Sequence, residues 1–146
     1  MNIDDIINEW AEDSKVDRSE LGEASLSAQT LHSKYLRYLF SYRTTQIKLK
    51  ADLAKMKKLR LEYWEGRLSK EELEENGWKP QPLKIMKAEL PTYLEADEVL
   101  QMAENKVAFN QERINVIEQI LKTLAGRQFS VSNAIRWEAY KNGERI

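Results

Sequence analysis

The sequence predicts an all-α fold, a long antiparallel helical hairpin flanked by short helices. Three observations carry this reading. Charged residues make up 32% of the 146 residues, with only five Gly and three Pro, which fits long helices better than a turn-rich β-sandwich. Two stretches place apolar side chains at alternating spacings of three and four, the stripe of helices that pack as coiled coils. Each stripe is followed by a glycine, Gly66 and Gly126, the residue that tolerates the left-handed conformation at a helix end.

Taken in order, Ile3, Ile6, Ile7 and Trp10 recur at helical spacing among acids and predict a short amphipathic helix over residues 2–12. Asp4 and Asp5 suit the positive end of its dipole. Asp17-Arg18-Ser19-Glu20 has the form of a capping box, opening a second helix that continues to about Gly66. Along it, positions 35, 39, 42, 46, 49, 53, 56, 60 and 63 read Tyr, Leu, Tyr, Gln, Leu, Leu, Met, Arg and Tyr. Ser69 is expected to cap a short acidic helix through Glu75, followed by Asn76-Gly77 and a loop with Trp78, Pro80 and Pro82. Residues 83–90, before Pro91, are expected to be extended.

From Glu95 to Ala125 a second stripe reads Leu100, Ala103, Val107, Asn110, Ile114, Ile117, Leu121 and Leu124. Its one polar member, Asn110, suits a role in setting register. Gly126 is expected to end this helix. Ser130 or Ser132 would then cap a final one containing Val131, Ile135, Trp137 and Tyr140, closed by Gly143. The expected division is a helical core over 1–127 and a C-terminal oligomerisation helix over 128–146. Two helices cover only part of two apolar stripes, so self-association is expected to cover the rest.

Composition removes several function classes. Without Cys there is no disulfide and no Cys-ligated zinc or iron–sulfur centre. The lone His32 forms no imidazole cluster, and no metal site or cofactor is expected. The longest uncharged run, Ala24 to Ser33, is half polar and too short to cross a bilayer. Asp4 and Asp5 stand where a secretory signal would carry basic residues, so a soluble, intracellular protein is expected. The phosphate loop, the nucleophile elbow and the dinucleotide fingerprint are all absent from the sequence. Glu71, Glu72, Glu74 and Glu75 read as a solvated face in preference to a cation site. An enzyme is not expected.

The net charge of −1 hides strong segregation. Residues 1–33 carry −6, residues 34–67 carry +7, residues 68–105 carry −5 and residues 106–146 carry +3. The local field therefore matters more than the total. Lys48, Lys50, Lys55, Lys57, Lys58, Arg60 and Arg67 share twenty residues with Tyr63 and Trp64. Cations along a surface suit phosphates, and aromatic faces suit unpaired bases. A solvated helix with its aromatics in the core fits the same pattern. Arg60 favours the first reading, because an Arg on the apolar seam needs a partner or a ligand.

The run Lys58-Leu59-Arg60-Leu61-Glu62-Tyr63-Trp64-Glu65-Gly66-Arg67 resembles the Lys-x-Arg-Leu-x-Tyr-aromatic-x-Gly-Arg element of the UvsY family of recombination mediators in T4-like phages. The similarity extends upstream through Leu31-His32-Ser33-Lys34-Tyr35-Leu36 and covers most of the chain, while residues 68–94 match poorly. The resemblance implies a non-enzymatic, ring-like homo-oligomer in the cytoplasm of an infected bacterium. It implies binding of single-stranded DNA, with a RecA-like recombinase loaded as the single-strand-binding protein is displaced. It assigns strand binding to Lys58 and Arg60, beside which Lys55, Lys57, Tyr63, Trp64 and Arg67 lie. It assigns oligomerisation to the C-terminal region, here Phe129, Val131, Ile135, Trp137 and Tyr140. The rival reading is a structural or adaptor coiled-coil protein without a nucleic-acid role.

Overall fold

The computed structural model describes residues 1–15 and 21–143, and their side chains except at 21–26, 128, 129 and 131. The expected capping box at Asp17-Arg18-Ser19-Glu20 lies outside the described residues. Among the described residues five helices follow one another: α1 (Ile3–Asp13), α2 (Leu21–Trp64), α3 (Lys70–Asn76), α4 (Leu90–Glu95) and α5 (Glu98–Lys141). There is no strand among the described residues, and no helix there is long and apolar enough to cross a membrane.

α1 opens on a capping box in which the Asn2 side chain accepts from Asp5 N–H at 2.8 Å and Asp5 accepts from Asn2 N–H at 3.0 Å. Two of the four unpaired donors of the first turn are satisfied in this way. Of its apolar residues Ile6 is fully buried, whereas Ile7, expected on the same face, is 47% exposed.

Packing divides the chain into two units, Met1–Thr44 with Asn110–Ile146, and Thr45–Phe109. In the first unit, Ile6 of α1, Tyr35 and Leu39 of α2, and Ile114, Ile117, Ile120 and Leu124 of α5 form the core. Trp10 meets the Tyr35 ring edge-on at 5.7 Å, and Tyr35 meets Tyr38 likewise at 5.5 Å, the geometry aromatic quadrupoles favour. Asn110 donates from Nδ2 to the Tyr42 carbonyl of α2 at 3.0 Å, so a polar seam position is used to couple the antiparallel helices. In the second unit, Gln46 does the same to the Val107 carbonyl at 3.1 Å. Every member of both stripes is buried or half-buried.

Two expectations fail. Residues 83–90 form no strand: residues 81–86 are irregular, 87–89 turn, and α4 begins at Leu90 with Pro91 in its first turn. Proline is well tolerated there, because the N–H it lacks would have had no helical partner. Gly126 likewise does not end a helix, since α5 runs unbroken to Lys141. A glycine stop needs a positive φ, and only Gly66, Gly77 and Gly143 adopt one among the described residues. Ser130 caps nothing; its hydroxyl returns to the Gly126 carbonyl at 3.4 Å, the back-bonding typical of a serine inside a helix.

A Cβ built on Gly126 meets nothing within 4 Å. Gly126→Ala should therefore raise stability by up to about 1 kcal/mol, the intrinsic helix preference of alanine over glycine. Urea unfolding followed by circular dichroism checks this, and a loss of stability would mean that the helix is broken there. Ile117 is fully buried, and Ile117→Ala should cost about 2–5 kcal/mol in the same measurement.

Candidate nucleic-acid interface

The basic segment of α2 exposes Lys48, Lys50, Lys55, Lys57 and Lys58. Lys48, Lys55 and Lys58 are seven and three residues apart, which places them on one face of the helix. None of the five forms an ion pair among the described residues. Exposed ammonium groups on one face are free to meet a phosphate backbone.

The helix ends as expected. Gly66 takes φ +73°, its N–H donates to the Tyr63 carbonyl at 3.0 Å, and Arg67 N–H donates to the Glu62 carbonyl at 2.9 Å. This pair of bonds is a Schellman turn. Arg67 is exposed and pairs with Glu65 at 2.8 Å. Ser69 and Glu72 cap α3 reciprocally, and Gly77 closes it at φ +70°.

That turn brings Trp78 back over Arg60. The Arg60 guanidinium carbon lies 4.1 Å from the Tyr63 ring centre, 4.6 Å from Trp78 and 5.7 Å from Trp64. In the plane of the guanidinium, Nε donates to Asp97 Oδ2 at 2.6 Å and Nη2 donates to Oδ1 at 3.0 Å. Trp64 Nε1 also donates to Oδ2, at 3.2 Å. The Arg60 and Asp97 side chains are 6% and 2% exposed. The cation on the seam thus meets a protein partner, Asp97, and is covered by aromatic faces. Tyr63 and Trp64 are half-buried. Tyr63 also donates to the Lys79 carbonyl at 2.9 Å, and the Trp64 ring lies 5.2 Å from that of Tyr93.

Asp97 and Trp78 were not singled out by sequence. An Asp directly before a helical stripe is an N-cap signal, and Asp97 does accept from Val99 N–H at 3.0 Å. Beside this cluster runs a groove of about 520 Å³ lined by Lys57, Lys58 and Leu61 of α2, Leu94 and Glu95 of α4, and Leu100 and Glu104 of α5.

In the other unit, Lys34 pairs with Glu9 at 2.5 Å and Asp13 at 2.7 Å. Burial opposes the charge on Lys34, but hydrogen bonds to Asp13 and Glu9 outweigh it and hold its pKa up at about 12. Glu9 and Asp13 also accept from the Tyr38 and Tyr35 hydroxyls. Of the candidate oligomerisation residues, Ile135, Trp137 and Tyr140 are exposed on the last turns of α5, with the Trp137 and Tyr140 rings stacked at 5.7 Å. The side chains of Phe129 and Val131 lie outside the described ones.

Burial raises the Asp97 pKa, but hydrogen bonds from Arg60 and Trp64 and the Arg60 charge reverse this and hold it below the ordinary 3.8. A depressed folded value stabilises the protein above the unfolded pKa, and that contribution disappears as pH falls through the folded value. The stability gap between wild type and Asp97→Asn should thus be full at neutral pH and narrow on acidification below about 3.8. Urea midpoints across a pH series measure it. Arg60→Ala leaves a buried carboxylate without its counter-charge and should cost about 3–5 kcal/mol at pH 7.

No curated relative matches by sequence. A crystal structure of the bacteriophage T4 recombination mediator protein UvsY (lattice type II) superposes with a TM-score of 0.84 at 20% identity, covering 97% of this chain and 98% of that one. The lattice type I structure gives a TM-score of 0.77 at 20% identity, with 94% and 98% covered. At that identity the likeness concerns the fold. Residues 9–144 match the family described as recombination, repair and ssDNA binding protein UvsY, and the chain belongs to the UvsY family.

Proposed function

We propose that the protein is a recombination mediator that binds single-stranded DNA without catalysing a reaction. The observation that carries this reading is the exposed lysine face of α2, Lys48, Lys55 and Lys58, with Lys50 and Lys57 on the same segment, in a chain of the UvsY family. Phosphate contacts made by lysines are point-charge contacts that track a backbone without reading its sequence. This suits a protein that must accept any strand. Arg67, exposed beside the end of α2, joins this surface by exchanging Glu65 for a phosphate.

Several copies multiply the effect. Ile135, Trp137 and Tyr140, together with Phe129 and Val131, form the association surface in this reading, and the copies assemble as a ring. Linked weak sites then hold one strand by effective concentration. The bound strand is presented to a RecA-like recombinase while the resident single-strand-binding protein loosens. The setting is the cytoplasm of an infected bacterium.

The test pairs oligonucleotide anisotropy across a salt series with the native mass of each variant. Lys55→Ala with Lys58→Ala should weaken binding at unchanged mass. Each lost phosphate contact should flatten the slope of log affinity against log salt by about 0.7. Wild-type affinity and slope in that variant would end the strand-binding assignment of this face and leave an adaptor role.

A further inference from the structure

One carboxylate at the end of α2 has three tasks. Asp97 caps the first turn of α5 through Val99 N–H, pairs with both Nε and Nη2 of Arg60, and accepts from Trp64 Nε1. The groove beside it has two walls. Lys57, Lys58 and Leu61 of α2 form one; Leu94 and Glu95 of α4 with Leu100 and Glu104 of α5 form the other. Asp97 belongs by chain to the second wall and is tied by Arg60 to the first. It therefore links the helix that carries the lysines to the segment that carries the two glutamates. Their separation matters electrically, because a lysine paired with a carboxylate has less charge to offer a phosphate. As the walls stand, neither Lys57 nor Lys58 forms an ion pair among the described residues.

We propose that Asp97 is a positioning residue for strand binding, holding the groove open through Arg60 so that Lys57 and Lys58 stay unpaired from Glu95 and Glu104. The proposal rests on the reading of α2 as the strand-binding element. Arg60 acts in it through geometry. Its guanidinium lies over Tyr63 and Trp78, is paired through Nε and Nη2 with Asp97, and is buried.

Direct contact by Arg60 and positioning by Asp97 predict opposite signs. If Arg60 touched phosphate, Asp97→Ala would release a cation and tighten binding. Under positioning, Asp97→Ala weakens binding and flattens the salt slope by about 0.7 for each lysine withdrawn. Adding Glu95→Gln and Glu104→Gln to that variant should return the affinity and slope, although not the melting temperature. Simple structural damage would not be reversed in this way. Circular dichroism and native mass identify a variant that has not folded. For that case the neutral pair Arg60→Gln, Asp97→Asn carries the same comparison, because its buried polar atoms still find one another. It should bind more tightly than Arg60→Gln alone.

Asp97→Ala at wild-type or higher affinity overturns the proposal, as does a glutamine suppressor that restores nothing in a folded protein. Lys55→Ala with Lys58→Ala runs beside these arms. A flattened slope there, with unaltered binding by Asp97→Ala, overturns the positioning role and leaves the strand-binding reading in place. A wild-type protein that does not bind the oligonucleotide overturns both.

Discussion

A helix of 44 residues has one narrow stripe to bury and a much larger surface to leave in water. Both α2 and α5 meet this constraint, and most of what surrounds them follows from it. Each stripe includes polar members whose desolvation has to be offset. Gln46 and Asn110 do so with neutral hydrogen bonds to a carbonyl of the facing helix. An amide on a seam is satisfied only where the facing helix presents an acceptor, so each bond favours one alignment of the antiparallel pair. The apolar members supply burial but little alignment, since one aliphatic contact is much like the next.

Arg60 is the demanding case, because a guanidinium carries charge as well as donors. Removing it from water is tolerable only when a carboxylate meets it in good geometry and the remaining surface is covered. Asp97 supplies the first, and the faces of Tyr63, Trp64 and Trp78 supply the second. The long segment between α2 and α5 thereby gains a structural purpose. α3, its glycine stop and the turn at Trp78 deliver an aromatic face to a buried cation. The lysines on the outward face meet none of these demands and keep their hydration and their charge.

The likeness to the T4 mediator at 20% identity has the same origin. A hairpin of this kind is specified by where apolar residues recur, by capping residues and by a few polar pairs. Many sequences meet those conditions, so the fold survives extensive replacement of individual residues.

By itself the sequence determined α1, α3, the stripes of α2 and α5 and several helix ends, whereas α4 carried no signal and α5 read as two helices. Heptad spacing, the Ser69 and Glu72 capping pair and the glycines at 66, 77 and 143 act over a few residues, and local chemistry is what a linear pattern records. It also determined the cationic character of α2 and showed that Arg60 required a partner. Tertiary structure decided who that partner was. Asp97 lies 37 residues away, and its local signal is that of a helix cap, which says nothing of Arg60. The same holds for Gly126, where glycine marks a stop in one backbone conformation and a tolerated weak point in another. Only the packed chain selects between these, because the energy that carries α5 past Gly126 resides in hydrogen bonds on either side and not in the glycine. Arg60 changed meaning for that reason too. On the sequence it was a seam cation that needed either a partner or a ligand, and in the fold Asp97 is the partner it meets.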